Sequence, residues 1–185
     1  YIGDWSSDVC SSDLCGSLAH ADPASEWCAV AAMLDAEMIA RSARGTRTIA
    51  AKDYFQGIMT TALAEDELLA EVRLPLLPAE TRTGFAEFNR RAGDFAFAMA
   101  VVAYRVKDGR IFEPRVAVGG AEASPRRIGE AEQALAGKAP DAAAFQSAGE
   151  AAARAVAPLD DANIDRKSTR LNSSHRCISY AVFCL

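Results

Sequence analysis

The chain has 185 residues, with 20 Lys plus Arg against 25 Asp plus Glu and a formal charge of −5. That mildly acidic balance lacks the basic stripe a nucleic-acid binder needs, and no apolar run reaches the roughly 20 residues of a membrane-spanning helix. Half of the residues are hydrophobic, enough for the packed core of one domain or two small ones.

The ends read differently from the interior. One coding strand for Asp165-Arg166-Lys167-Ser168-Thr169-Arg170-Leu171-Asn172-Ser173-Ser174-His175, taken as its reverse complement, encodes Asp4-Trp5-Ser6-Ser7-Asp8-Val9-Cys10-Ser11-Ser12-Asp13-Leu14. Opposite-strand copies of one DNA sequence have no rationale at the level of the protein. Both resemble translated sequencing adapter, with Ile178–Leu185 as its continuation. Residues 1–14 and 165–185 are therefore expected to be non-native tails and are set aside, as an expression scar would be. Cys10, Cys177 and Cys184 leave with them, and Cys15 sits at the junction, so only Cys28 is secure. One thiol builds neither a disulfide framework nor a zinc cluster, which points to a reducing, cytoplasmic setting.

The interior opens with a turn-like Cys15-Gly16-Ser17 and then Asp22-Pro23-Ala24-Ser25-Glu26. Trp27, Val30, Ala31 and Leu34 recur at helical spacing, predicting a helix over Ser25–Asp35. Met38–Ala43 and Thr46–Ala50 read as short extended segments around a hairpin pair, Arg44-Gly45. Asp53-Tyr54-Phe55 begins a short helix, and Glu67–Pro75 reads as a strand stopped by Pro75. Two prolines make residues 75–80 a linker. Phe85–Asn89, Phe95–Lys107 and Arg110–Gly119 follow, the last two joined by Asp108-Gly109, whose residue types suit a turn needing φ > 0 at both central positions. Phe95–Val106 is apolar enough for a buried helix, but the turn and the β-like run after it favour strand for its latter part. Ser124-Pro125 predicts the start of a helix, Arg127–Ala136, ended by Gly137. Asp141–Val156 is an alanine-rich helix with charges placed as the macrodipole prefers. The fold class is α+β, as two small units joined near residue 78.

Chemistry is sparse. One interior histidine, His20, and one secure thiol leave no metal cage and no nucleophile–base pair, so neither catalytic nor metal-binding residues are assigned. Carboxylates such as Asp66-Glu67 read as a solvated face. The strongest local feature is Gly16-Ser17 followed by Asp22 and Glu26. Glycine beside a small hydroxyl residue lets backbone N–H groups approach an oxyanion such as a pyrophosphate, and an acidic residue a few positions on can hold a sugar hydroxyl. A helix cap is the competing reading of the same residues.

This segment resembles the second flavin-binding loop of the FAD-binding (medium) subunit of molybdenum hydroxylases, the aerobic carbon monoxide dehydrogenase and xanthine dehydrogenase family. Further stretches fit in the same order. They are Gly45-Thr46-Arg47-Thr48-Ile49, Asp53-Tyr54-Phe55-Gln56-Gly57, Thr60–Leu69 running on through Pro75, Asn89-Arg90-Arg91-Ala92-Gly93-Asp94-Phe95-Ala96, and Arg115-Val116-Ala117-Val118-Gly119-Gly120. The combination is specific where each motif alone is not.

The resemblance implies a partial FAD-binding domain over 15–78, the second of two subdomains, followed by a small α+β C-terminal domain over 79–164 with an antiparallel sheet and helices. It implies FAD as cofactor, with Gly16 and Ser17 on the pyrophosphate, Glu26 and less directly Asp22 on the cofactor, and Leu68 and Leu69 against the flavin. The bland reading of that leucine pair is strand core. Arg90, Arg91 and Asp94 are expected in structural ion pairs or at an interface. Electrons would arrive from an iron–sulfur small subunit, and substrate oxidation would occur at a molybdenum cofactor on a large subunit. The wording Ala19-His20-Ala21-Asp22-Pro23-Ala24 leans toward the carbon monoxide dehydrogenase-like branch. Cys15 departs from the pattern, standing where the family has a glycine, and the first glycine-rich flavin loop is absent. The chain is therefore expected to hold about half of a cofactor site and to be inactive alone. The competing readings are a non-catalytic α+β interaction domain and a different FAD-dependent oxidoreductase.

Overall fold

The computed structural model describes residues 14–89, 91 and 94–159, so all but Leu14 of the two predicted tails lies outside the described residues. Leu14 itself is half-buried against the first core. The chain begins with α1 (14–20) and α2 (Glu26–Leu34), followed by the hairpin β1 (Glu37–Ser42) and β2 (Gly45–Ala50). Next come α3 (Ala51–Tyr54), the short pair β3 (Phe55–Gly57) and β4 (Thr60–Thr61), and β5 (Leu68–Arg73). These strands form an antiparallel sheet in the order β2-β1-β5 and a separate two-stranded ribbon. Ser42 pairs with Gly45, so the hairpin turn is Ala43-Arg44, one residue earlier than the Arg44-Gly45 pair read from sequence. Likewise α3 starts at Ala51, not Asp53, because the Ala51 N–H donates to the Ala36 carbonyl at 2.8 Å and bends the chain there.

After residues 74–78, which form neither helix nor strand, four strands run as an antiparallel meander. They are β6 (Arg82–Phe88), β7 (Ala98–Lys107), β8 (Arg110–Gly119) and β9 (Arg126–Arg127). Asp108 (φ 53°) and Gly109 (φ 71°) turn the β7–β8 hairpin with positive φ at both central positions. The β7–β8 register slips between Ala103 and Arg105. Pro114, which has no N–H to give the ladder, sits in that irregularity beside Glu113 at φ 49°. The predicted helix Arg127–Ala136 is shorter: Arg126 and Arg127 pair with Val118 and Ala117, and α4 runs only over Gly129–Leu135. Strand pairing outcompetes helix there because the Ile128 N–H is taken by the Val116 carbonyl at 2.8 Å. The last helix, α5 (Ala142–Ala155), agrees with its expectation, and Asp141 caps it by accepting from the Ala144 N–H at 2.9 Å.

The absence of alternation in Phe95–Val106 is now explained. The sheet is covered on both sides, so every residue from Ala98 to Tyr104 is buried. Ala98, Ala100, Val102 and Tyr104 face a core with Ile128, just before α4, Leu135 of α4, and Phe145 and Ala148 of α5. Met99, Val101 and Ala103 face Ala29, Met33 and Leu34 of α2. That helix is buried on two sides, because Cys28 and Ala31 pack into the first core with Leu18, Met38 and Tyr54. Trp27 is 38 % exposed, so the stripe read from sequence marks only part of the buried surface. The α2 helix is thus the shared wall between the two sheets.

Candidate functional site

The segment expected to bind a cofactor is not a turn at its start. Residues 14–20 are helical, and the Ala21 N–H donates to the Ser17 carbonyl at 3.2 Å, which places Gly16 and Ser17 inside α1. Ala21 (φ 53°) closes the helix in the left-handed region that glycine usually fills. The chain then makes a tight corner. Asp22 Oδ1 accepts from the Ala24 N–H at 2.9 Å, and the Ser25 N–H returns to the Asp22 carbonyl at 3.0 Å. Ser25 precedes α2 but does not cap it with its side chain. Its hydroxyl lies 2.9 Å from the Ser17 hydroxyl, tying the two helices together. Glu26 opens α2 on the exposed side, where a carboxylate suits the helix N-terminus. Gly16 is exposed, and a Cβ built there would meet nothing within 4 Å.

The corner is held from two directions. The Met59 N–H reaches the Ala21 carbonyl at 3.1 Å, and the Gly120 N–H reaches the Pro23 carbonyl at 2.6 Å. Sequence reasoning assigned no role to either residue. The signal for the second was the Gly119-Gly120 pair at the end of a predicted strand.

Leu68 and Leu69 lie at the start of β5, opposite Arg41 and Ala40. They part company in burial: Leu69 packs against the core that holds Leu18 and Cys28, whereas Leu68 is 76 % exposed. The strand-core reading therefore fails for Leu68. Of the two carboxylates just before it, Asp66 is exposed as a solvated face requires, but the Glu67 side chain is only 7 % exposed. Arg47 forks onto both Glu67 oxygens at 2.7 and 2.8 Å, and the Ala64 N–H donates to the same carboxylate at 2.8 Å. The Arg47 bonds first, and the Ala64 N–H second, hold the Glu67 carboxyl down at about 2. Arg44 pairs with Asp66 at 2.7 Å. These pairs strap residues 62–67 to the β1–β2 hairpin and fix where Leu68 emerges. A pocket of about 410 Å³ lies here, lined by Ser42, Arg44, Thr46, Arg47, Ala64 and Glu67. Both of its arginines are already neutralised by carboxylates, so it is not a ready anion site.

Beneath the corner, burial pushes the Cys28 thiol up to about 11 and the Tyr54 phenol up to about 12. The Tyr54 hydroxyl is fully buried and makes no hydrogen bond among the described residues, although Thr61 is its polar neighbour. Neither group is poised as a nucleophile or base. His20 is exposed at the end of α1. Arg90 falls outside the described residues; Arg91 and Asp94 are exposed and joined by a backbone hydrogen bond of 3.0 Å. On the other side of α2, Glu26, Trp27, Val30, Leu77, Phe85 and Val101 border an apolar groove of about 490 Å³. Of the predicted site residues, Gly16, Ser17, Asp22 and Glu26 are thus brought onto one helix–corner–helix unit, and Leu69 reaches the core beneath it.

Two family matches cover most of the chain. Residues 12–77 match the FAD binding domain in molybdopterin dehydrogenase, and residues 83–167 match the CO dehydrogenase flavoprotein C-terminal domain. Among curated proteins, the nicotine 6-hydroxylase medium subunit of Paenarthrobacter nicotinovorans is 39 % identical over 79 % of this chain and 51 % of its own length. The carbon monoxide dehydrogenase medium chain of Afipia carboxidovorans is 30 % identical over the same shares. Among solved structures, carbon monoxide dehydrogenase from Hydrogenophaga pseudoflava superposes with a TM-score of 0.86 at 29 % identity, covering 92 % of this chain and 59 % of that one. Quinoline 2-oxidoreductase from Pseudomonas putida 86 gives 0.82 at 32 %, covering 92 % and 60 %. The chain spans about half the length of the curated relatives it matches. With both domains present in this order, the chain belongs to the family of FAD-binding medium subunits of molybdenum hydroxylases.

Proposed function

We propose that this chain is the part of an electron-transfer flavoprotein that carries one wall of an FAD site within a molybdenum-containing hydroxylase. The observation that carries the reading is the helix–corner–helix unit around Gly16, Ser17, Asp22 and Glu26, placed within the matched FAD-binding domain. Gly16 faces open space, Glu26 and Leu68 are exposed, and the neighbouring carbonyls are held by Met59 and Gly120. These residues fit FAD in kind: an open glycine for close approach of a pyrophosphate, a carboxylate for a hydroxyl, and an apolar side chain fixed by an ion-paired strap for a ring. When bound, FAD supplies the redox chemistry, and the chain's own residues orient it and shape its surroundings.

On this reading Gly16 and Ser17 hold the pyrophosphate, Glu26 and Asp22 contact the cofactor, and Leu68 packs on the flavin with Leu69 behind it in the core. Residues 15–78 form the partial FAD-binding domain and 79–164 the C-terminal domain. Electrons come from iron–sulfur clusters of a small subunit and leave to an external acceptor, while a large subunit with the molybdenum cofactor oxidises the substrate. The free thiols Cys15 and Cys28 suit a reducing, cytoplasmic compartment. Relatives named for nicotine and for carbon monoxide each match 79 % of this chain. That is what a subunit remote from the substrate predicts, and the substrate of the complex is to be read from the large subunit.

The test is a mixing experiment. The small subunit, reduced with dithionite and freed of excess reductant, is mixed with the flavin-loaded medium subunit encoded by the complete gene. Loss of the oxidised flavin absorbance is expected. A flavin band that persists beside a reduced iron–sulfur partner contradicts the electron-transfer reading.

A further inference from the structure

We propose that Gly119 and Gly120, in the C-terminal domain, are positioning residues for the flavin loop, so that this domain sets the geometry of a cofactor site it does not itself form. The inference rests on the FAD reading above and extends it to residues with no assigned role.

Pro23 lies at the apex of the corner, between Asp22 and Glu26, and its carbonyl accepts from the Gly120 N–H at 2.6 Å. No other backbone hydrogen bond crosses from the second sheet to the corner among the described residues. Both glycines leave the space in which that contact is made. Gly119 ends β8 opposite Met99, and a Cβ there would stand 3.0 Å from the Pro23 oxygen and 3.3 Å from the Ala29 Cβ. Gly120 turns away at φ 75°, and a Cβ there would stand 2.8 Å from the Ala96 carbonyl oxygen. Any larger residue at 119 therefore pushes the corner directly. One at 120 moves the N–H that fixes it.

The corner has little slack with which to absorb such a push. Asp22, Ala24 and Ser25 are tied to one another, Ser25 to Ser17, and Ala21 to Met59. A displacement of Pro23 is therefore passed to Ser17 and Glu26 instead of being dissipated in a floppy loop. The two sheets are also locked against each other by α2, so the strand end cannot simply retreat. Binding sites lose function when supporting residues let the contact groups drift by a few tenths of an ångström, because the interactions are realised only in one geometry.

The experiment uses the full subunit encoded by the complete gene, as wild type and as Gly119→Ala, with Ile128→Val as the control. Ile128 is fully buried on the opposite face of the same sheet, so its variant lowers the melting temperature without touching the corner. FAD affinity, the flavin visible spectrum and the flavin reduction potential are measured beside the melting temperature of the apoprotein. The expected result is FAD binding weakened on the order of tenfold in Gly119→Ala, with an altered flavin spectrum or potential. Ile128→Val should keep wild-type flavin properties at a lower melting temperature. Wild-type flavin properties in a folded Gly119→Ala subunit overturn the proposal and leave the FAD reading standing. A wild type that binds no FAD sinks that reading itself. Should Gly119→Ala fail to fold, amide hydrogen exchange on the wild type decides. FAD loading is expected to slow exchange at Gly120, since coupling between the loop and its support is reciprocal. Unchanged exchange at that amide overturns the proposal.

Discussion

The Asp35 carboxylate, at the left-handed end of α2, pairs with the guanidinium of Arg127 on β9, 92 residues further along the chain. Arg115 of β8 joins them: its Nη1 lies 3.5 Å from Asp35 Oδ2 and donates to the Leu34 carbonyl at 3.2 Å. Arg127 is also forked onto Glu132 at 2.8 Å through both Nε and Nη2, and Glu132 accepts from the Val116 N–H at 3.0 Å. The C-terminal end of the shared helix is therefore pinned to the second sheet by charge, as its N-terminal side is pinned by the Gly120–Pro23 hydrogen bond.

Asp35→Asn tests the weight of that pin. The Asp35 side chain is 52 % exposed and Arg127 keeps Glu132, so the loss should be roughly 0.5–1 kcal/mol, the upper part of the range for half-exposed pairs. Asn also tolerates the φ of 54° at this position. Thermal melts should show the difference shrinking in high salt. A loss of several kcal/mol would mean that Asp35 does more than pair at the surface.

Glu67→Gln should remove a pH-dependent share of stability. The folded carboxyl is held at about 2, below its ordinary value of 4.5. A depressed carboxylate contributes fully above the unfolded value, and the contribution fades as pH falls through the folded one. Wild type and variant should thus differ most above pH 4.5 and converge as pH falls toward 2. Melting curves that stay parallel across this window contradict the strap described for residues 62–67.

Asp141→Ala removes the side chain that accepts from the Ala144 N–H at the start of α5. The expected cost is about 1 kcal/mol, as for other caps of this type. Denaturant melts check it, and the loss should appear as a lower midpoint with an unchanged slope.

Cys28 should be protected in the folded state. Its side chain is fully buried and its thiol is pushed up to about 11, first by burial, so little thiolate exists near neutral pH. Peptide mapping after alkylation at pH 8 should find the half-exposed Cys15 labelled and Cys28 unlabelled until denaturant is added. Equal labelling of both contradicts the packing of α2 against the first core.

Legibility followed how local the physics is. The Asp108-Gly109 turn was readable because it depends on two adjacent residues, and Asp141 was read as a helix-end charge, which the structure shows also capping α5. The β7 strand was ambiguous because burial on both faces erases the alternation that marks a strand. Trp27, Val30, Ala31 and Leu34 gave the existence of α2 but not its burial on two sides, which only the second sheet reveals. At the site, the residue types around Gly16 and Glu26 singled out a segment that the structure folds into one helix–corner–helix unit. The secondary structure there was misread, because Ala21, not a glycine, closes α1. Glu67 looked solvated because its partner, Arg47, lies 20 residues away in sequence. Pro23 and Gly120 are farther apart still, and nothing local announces that they meet.

The most direct measurement is the FAD content of the medium subunit expressed from the complete gene, compared between wild type and Leu68→Ala. Leu68 is 76 % exposed, so its truncation should leave stability within about 0.5 kcal/mol of wild type. Stoichiometric FAD with oxidised flavin bands is expected in the wild type, and weaker retention in the variant. A well-folded, colourless wild-type subunit that takes up no added FAD would contradict the account.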